Sequence, residues 1–222
     1  MSYTVTVRDI QQITDDIKQF RVDRPANYNF VPDQATRVTV DKPDWRDNTR
    51  AFSFTSLRAN SNLEFIAKIH PGRYEVTNEL DKLKVSEQLV IGEPEDAINY
   101  TGVGIFLAQG LGVISLTGIL RQLREDDELE GVRLILSNET AQDIILEEEI
   151  EAMLGHDFLN VLSEQDENDK YLAGPVNRDF LEEHVDDFNK NFYICGPPEF
   201  VNNMENILEK LDITPEALAY EE

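Results

Sequence analysis

Three short segments of this chain carry side chains or turns suited to chemistry. The first is Arg50-Ala51-Phe52-Ser53-Phe54-Thr55-Ser56. Strand alternation places Arg50, Phe52 and Phe54 on one face and Ala51, Ser53 and Thr55 on the other. A guanidinium grips phosphate with two hydrogen bonds, an aromatic ring covers a flat cofactor, and hydroxyls bond ring edges. The second is Gln109-Gly110-Leu111-Gly112-Val113. Its glycines allow the backbone to approach a pyrophosphate, and a helix start supplies free N–H groups and a positive dipole end. The third is Phe192-Tyr193-Ile194-Cys195-Gly196-Pro197-Pro198, a strand-like run that stops at Gly-Pro-Pro. That stop is expected to expose Cys195 at the carboxyl end of a strand, where open α/β sheets bind ligands. Each segment also has a plainer reading: a barrel strand with an exposed arginine, a tight turn without a ligand, and a small buried hydrophobe. Their order along one chain is what gives them weight.

Two kinds of scaffold must hold these segments. Residues 1–100 read as β, with strands expected at 4–8, 17–22, 36–40 and 63–69 and separators such as Asp41-Lys42-Pro43-Asp44. Short strands between turn signals predict a small antiparallel barrel, with one helix at 76–83. Residues 101–222 alternate instead. Strands are expected at 105–108, 132–136, 158–162 and 192–195, and helices at 116–124, 144–154, 178–184 and 199–211. That alternation predicts a Rossmann-like parallel sheet covered on both faces. The expected fold is therefore α+β with two domains: an antiparallel β-barrel over 1–100 and a parallel α/β nucleotide-binding domain over 101–222. The boundary falls near Tyr100-Thr101-Gly102, and 163–169 reads as a polar loop.

Composition excludes several classes. The 222 residues carry a net charge of -24, and 41% are hydrophobic, enough for a core. Residues 1–100 hold 13 basic and 16 acidic side chains, whereas 101–222 hold 7 and 28. Nucleic acid is disfavoured, since phosphates need basic patches. A single cysteine excludes an intrachain disulfide and a four-cysteine iron–sulfur cluster. His70, His156 and His184 lack zinc-ligand spacing and read as ordinary surface or capping residues. The N-terminus lacks the basic and apolar regions of a signal peptide, which predicts a cytoplasmic protein. The run 102–120 carries no charge and nears membrane-spanning length, but five glycines interrupt it. A strand, a turn and a helix start account for it better, so no membrane partner is expected.

In this order, Arg-x-Phe-Ser, Gly-x-Gly and Cys-Gly-Pro-Pro resemble the ferredoxin–NADP reductase superfamily, across nearly the whole chain. The likeness is to its small bacterial members without an iron–sulfur domain. It implies an enzyme, an NAD(P)H-dependent flavin oxidoreductase. FAD would sit on the barrel and NADH or NADPH on the α/β domain, with hydride passing from nicotinamide to flavin. It implies that Arg50 contacts pyrophosphate or ribose, that Phe52 packs a ring, and that Ser53 bonds the flavin edge. Val76, Thr77 and Asn78 correspond to the flavin-phosphate helix start. Gly110, Gly112, Cys195, Gly196 and Pro197 correspond to the nicotinamide side. Ser53 and Cys195 take the catalytic positions, and Tyr220 is the candidate flavin-covering aromatic.

The chain departs from the family pattern at Phe52 (tyrosine in the family), Asp33, Glu75 and Asp96 (each glycine), and at Gln109, Ile114 and Ser115 in the Gly-rich motif. Those departures leave a second reading, a reductase-fold subunit with a degenerate nicotinamide site acting as a binding or regulatory partner. A third is a nucleotide-binding α/β protein of another type, which predicts no flavin. Ser137, Asn138 and Glu139 close the second α/β strand, where NADPH users tend to place serine and basic residues. A carboxylate there repels a 2′-phosphate and accepts from a free 2′-hydroxyl, which favours NADH. The acceptor is expected to be separate: ferredoxin, flavodoxin or a small molecule. Lys18, Arg21, Arg24, Arg37, Lys42 and Arg46 are candidates for a basic dock.

Overall fold

The computed structural model describes residues 1–222 apart from Asp33, Asp44, Arg46, Pro71, Arg73, Tyr74, Glu167, Pro215, Glu216, Glu221 and Glu222, and apart from the side chains of 217–220. Two compact units result, Met1–Ala97 and Ile98–Glu222, dividing just ahead of 100/101.

The first unit contains β1 (Tyr3–Gln12), β2 (Ile17–Asp23), β3 (Gln34–Val40), β4 (Arg50–Ser53), β5 (Asn62–Lys68), α1 (Val76–Asp81) and β6 (Gln88–Asp96). Its antiparallel strands are ordered β4-β3-β6-β1-β2-β5. A bridge between Phe54 and Phe65 joins the two edges and curls the sheet onto itself. Alternation drives the curl: Val5 and Val7 of β1, Phe20 and Val22 of β2, and Leu89 and Ile91 of β6 all enter one core. β6 escaped the sequence reading because Gly92 and Pro94 interrupt its pattern. The core also holds a carboxylate. Glu64 is 6% exposed, and its oxygens accept from Gln19 Nε2 at 2.8 Å, Arg21 Nε at 2.9 Å and Thr55 Oγ1 at 2.8 Å. Its own N–H donates to Ser56 Oγ at 3.1 Å. The stretch just after Ser53 is thereby held.

The second unit contains β7 (Gly104–Gln109), α2 (Gly112–Glu125), β8 (Arg133–Asn138), α3 (Glu147–Leu154), β9 (Phe158–Leu162), β10 (Leu172–Ala173), α4 (Arg178–His184), β11 (Asn191–Gly196), α5 (Pro198–Glu209) and β12 (Ala217–Tyr220). The sheet is parallel, in the order β10-β9-β8-β7-β11-β12. Ile105, Leu107, Ile135, Phe192 and Ile194 face one side, against Leu181 of α4 and Val201, Met204 and Leu208 of α5. Phe106, Ala108, Tyr193 and Cys195 alternate to the other side, against which α2 packs. The charge-free run 102–120 becomes β7, a turn and the first half of α2. Among the described residues no helix is long and apolar enough to cross a membrane. α2 begins at Gly112, ahead of the expected 116, because an apolar first turn has no amphipathic signature.

Candidate functional site

In a doubly wound sheet the crevice for a ligand opens where strand order reverses. Here the chain leaves β7 for β8 on one side, and β11 lies on the other. The expected residues of the second unit gather at the carboxyl ends of these strands. Gly110 turns the chain at φ +56°, with nothing within 4 Å of the place a Cβ would occupy. Its N–H donates to the Ser137 carbonyl at 3.0 Å, joining the ends of β7 and β8. At Gly112 a Cβ would stand 2.3 Å from the Cys195 carbonyl oxygen, so only glycine lets α2 start so close to the end of β11. Leu111 gives α2 no side-chain cap, and its first turn carries no acidic residue. Pro197 stands at the N-cap position of α5 without a side-chain cap bond, and Tyr220 is paired opposite Gly196 along the backbone; the Tyr220 side chain lies outside the described residues. An uncapped helix start beside an open glycine turn fits an anionic dinucleotide phosphate.

One expectation is corrected here. Cys195 is not exposed by the Gly-Pro-Pro turn. It is 1% exposed, because alternation along β11 sends its side chain to the face beneath α2. Ser137 and Asn138 are buried too, at 6% and 4%, whereas Glu139 just beyond β8 is exposed. Among the described residues, the Asn138 Nδ2 and the Asn160 Oδ1 are buried without a hydrogen-bond partner.

In the first unit, Arg50 and the start of α1 come together. Arg50 NH1 lies 3.6 Å from Glu75 Oε2. His70 Nδ1, from the segment after β5, lies 3.8 Å from the same oxygen and 3.5 Å from Thr77 Oγ1. Glu75 makes no cap bond to α1, although it precedes the first turn. Val76 and Thr77 are buried, so any ligand contact at those positions falls to the backbone, while Asn78 and Ser53 are half-buried. Phe52 is 8% exposed and packs inward, its ring 5.1 Å from that of Phe65. Arg50 and Ser53 suit a phosphate-bearing flavin; Glu75 is the exception, an anion already beside Arg50. In the sequence His70 reads as an ordinary surface or capping residue, although Glu75 and Thr77 follow it closely in the chain.

Four of the candidate dock residues are held in ion pairs. Lys18 pairs with Asp81 at 2.7 Å, Arg21 with Glu64 at 2.9 Å, Arg37 with Glu95 at 3.3 Å and Lys42 with Glu79 at 3.0 Å. Arg24 donates to the carbonyls of Tyr28, Arg58 and Asn60. Arg46 lies outside the described residues. Each carboxylate partner belongs to a strand or helix that folding brings alongside. Among the described residues no cluster of histidine, cysteine and carboxylates could hold a metal.

Residues 106–206 match the family model described as the oxidoreductase NAD-binding domain. The chain is 25% identical over 237 residues to a nitrate reductase [NADPH] of Beauveria bassiana, covering 92% of this chain and 26% of that protein. It is 25% identical over 219 residues to the reductase component of propane 2-monooxygenase of Rhodococcus jostii, covering 91% and 58%. The chain thus spans between about a quarter and three fifths of these relatives. Its fold matches the flavohem-like FAD/NAD-binding domain of nitric oxide dioxygenase from Vibrio cholerae, with TM-score 0.83, 18% identity and coverage of 98% and 97%. It also matches a ferredoxin NADP+ reductase from Neisseria gonorrhoeae with bound FAD and NADP, with TM-score 0.79, 19% identity and coverage of 94% and 91%.

Proposed function

We propose, for a chain that belongs to the ferredoxin–NADP reductase superfamily, the transfer of electrons from a nicotinamide dinucleotide through FAD to a separate acceptor. The observation that carries this reading is the meeting of Gly110, the uncapped start of α2 and the Cys195–Gly196 strand end at the reversal of strand order. When bound, nicotinamide and flavin supply the hydride transfer and the onward passage of electrons. The residues bind and orient. The first amides of α2 hold the dinucleotide phosphates, Gly110 leaves room for them, and Cys195, Gly196 and Pro197 shape the nicotinamide side. Arg50 and the backbone at Val76, Thr77 and Asn78 hold the flavin phosphates, and the Ser53 hydroxyl donates to the ring edge. Phe52 acts from the barrel core by fixing the strand that carries its neighbours.

NADH is the preferred donor. Glu139 stands exposed beyond β8, and residues 101–222, with 28 acidic and 7 basic side chains, repel a second phosphate. Ion pairing of Lys18, Arg21, Arg37 and Lys42 favours a small-molecule acceptor over acidic ferredoxin or flavodoxin. Anaerobic NADH should bleach the visible flavin bands of the protein loaded with FAD, and kcat/KM should be higher with NADH than with NADPH. Bands that persist with both donors would overturn the electron-transfer reading, and a higher kcat/KM with NADPH would overturn the donor preference.

A further inference from the structure

We infer that Glu75 is an internal competitor for the anion that Arg50 would otherwise hold, and that it sets how tightly this chain keeps a phosphate-bearing flavin. The inference rests on the flavin reading above and deepens it. Oε2 of Glu75 sits between two basic side chains brought from different elements: Arg50 NH1 of β4 at 3.6 Å and His70 Nδ1 after β5 at 3.8 Å. The backbone of Glu75 is extended, at φ -136° and ψ 156°, and its carboxylate makes no cap bond to α1. The side chain reaches Arg50 and His70 and does not cap its own helix.

A carboxylate and a phosphate cannot share one guanidinium at this range without mutual repulsion, which at about 4 Å is appreciable even when water screens it. Side-chain exposures of 27% for Arg50 and 36% for Glu75 leave the pair reachable from solvent and therefore displaceable. An entering phosphate must push the carboxylate aside, and the loss falls on ligands that carry phosphate. Riboflavin, which has the ring but no phosphate, escapes it. Flavin is then held loosely and exchanges, and salt weakens the competition by screening both anions.

The test compares wild type with Glu75→Gln, which keeps the shape and removes the charge. Dissociation constants are measured by titration for FAD, riboflavin and inorganic pyrophosphate at low and high salt, and thermal unfolding checks that the variant is folded. Glu75→Gln should bind FAD and pyrophosphate on the order of tenfold tighter, with riboflavin unchanged, and Arg50→Ala in the same background should abolish the gain. Equal tightening of riboflavin would overturn the inference, as would pyrophosphate binding that is unchanged or undetectable in both proteins. If neither protein binds FAD while pyrophosphate still tightens in Glu75→Gln, the flavin reading falls and the competition at Arg50 stands.

Discussion

Replacing Gly112 with alanine tests the close approach on which the dinucleotide site depends. A Cβ at this position would lie 2.3 Å from the Cys195 carbonyl oxygen, 2.5 Å from its carbon and 2.8 Å from the Gly196 nitrogen. All three are backbone atoms, so no side chain can swing aside. An ordinary carbon–oxygen contact is about 3.3 Å, so α2 and the end of β11 must part by about 1 Å. Overpacking of this kind costs ~1–3 kcal/mol. Alanine returns at most about 1 kcal/mol of helix propensity, and less in the first turn. The expected net loss is about 1–2 kcal/mol, together with a fall in nucleotide affinity that can approach 10²-fold, since such a shift misaims the helix start. Gly110→Ala is the control: it meets nothing within 4 Å, and its cost is that of a side chain at φ +56°, about 1–2 kcal/mol. Urea unfolding followed by far-UV circular dichroism reads both units, while the fluorescence of Trp45, the chain's single tryptophan, reads the first. The circular-dichroism transition of Gly112→Ala should shift and the Trp45 transition should move less. An unfolding free energy within about 0.5 kcal/mol of wild type, with nucleotide binding intact, would refute the reasoning.

Two further expectations follow from buried carboxylates in the first unit. Glu64→Ala leaves Gln19 and Thr55 without this acceptor and Arg21 with only its longer pairing to Asp9, and should cost about 3 kcal/mol in urea unfolding, with Glu64→Gln costing less. The carboxyl of Glu79 is held below its ordinary value by its hydrogen bond to Lys82, with Lys42 adding to the effect. A lowered folded-state value gives stability that is complete above the unfolded value, about pH 4–5, and is lost as pH falls through the folded one. Glu79→Gln should therefore flatten the acid limb of the stability profile, and an unchanged limb would contradict the pairing.

Much of the architecture was legible because period and punctuation coincide. The strands around Val5, Phe20, Val38 and Phe65 alternate, and β7, β8, β9 and β11 are apolar runs bounded by turn signals. The gathering of Gly110, Gly112 and Cys195 was also legible, since parallel strands bring their carboxyl ends to one edge. What the residues could not convey was direction and pairing. A strand covered on both faces is apolar on both, so nothing local marks Cys195 as facing α2. Arg21 and Arg37 read as free cations because Glu64 and Glu95 become neighbours only through sheet registers set far along the chain. β12 is too short for its alternation to register.

The registers of the two sheets have a kinetic consequence. The first unit is drawn together by the pairing of β1 with β6, Tyr3 opposite Ile91, and the second by β7 with β11, Gly104 opposite Asn191. In each unit the deciding ladder joins strands from nearly opposite ends of its sequence, so most of the loop-closure entropy is met before the ladder rewards it. A nascent chain that has not yet delivered β6 leaves β1 and β3 each with an unpaired side, the arrangement most exposed to pairing with another chain. Truncations ending between β5 and β6 should therefore aggregate, and completion of β6 marks the point in synthesis at which the first unit can become independent.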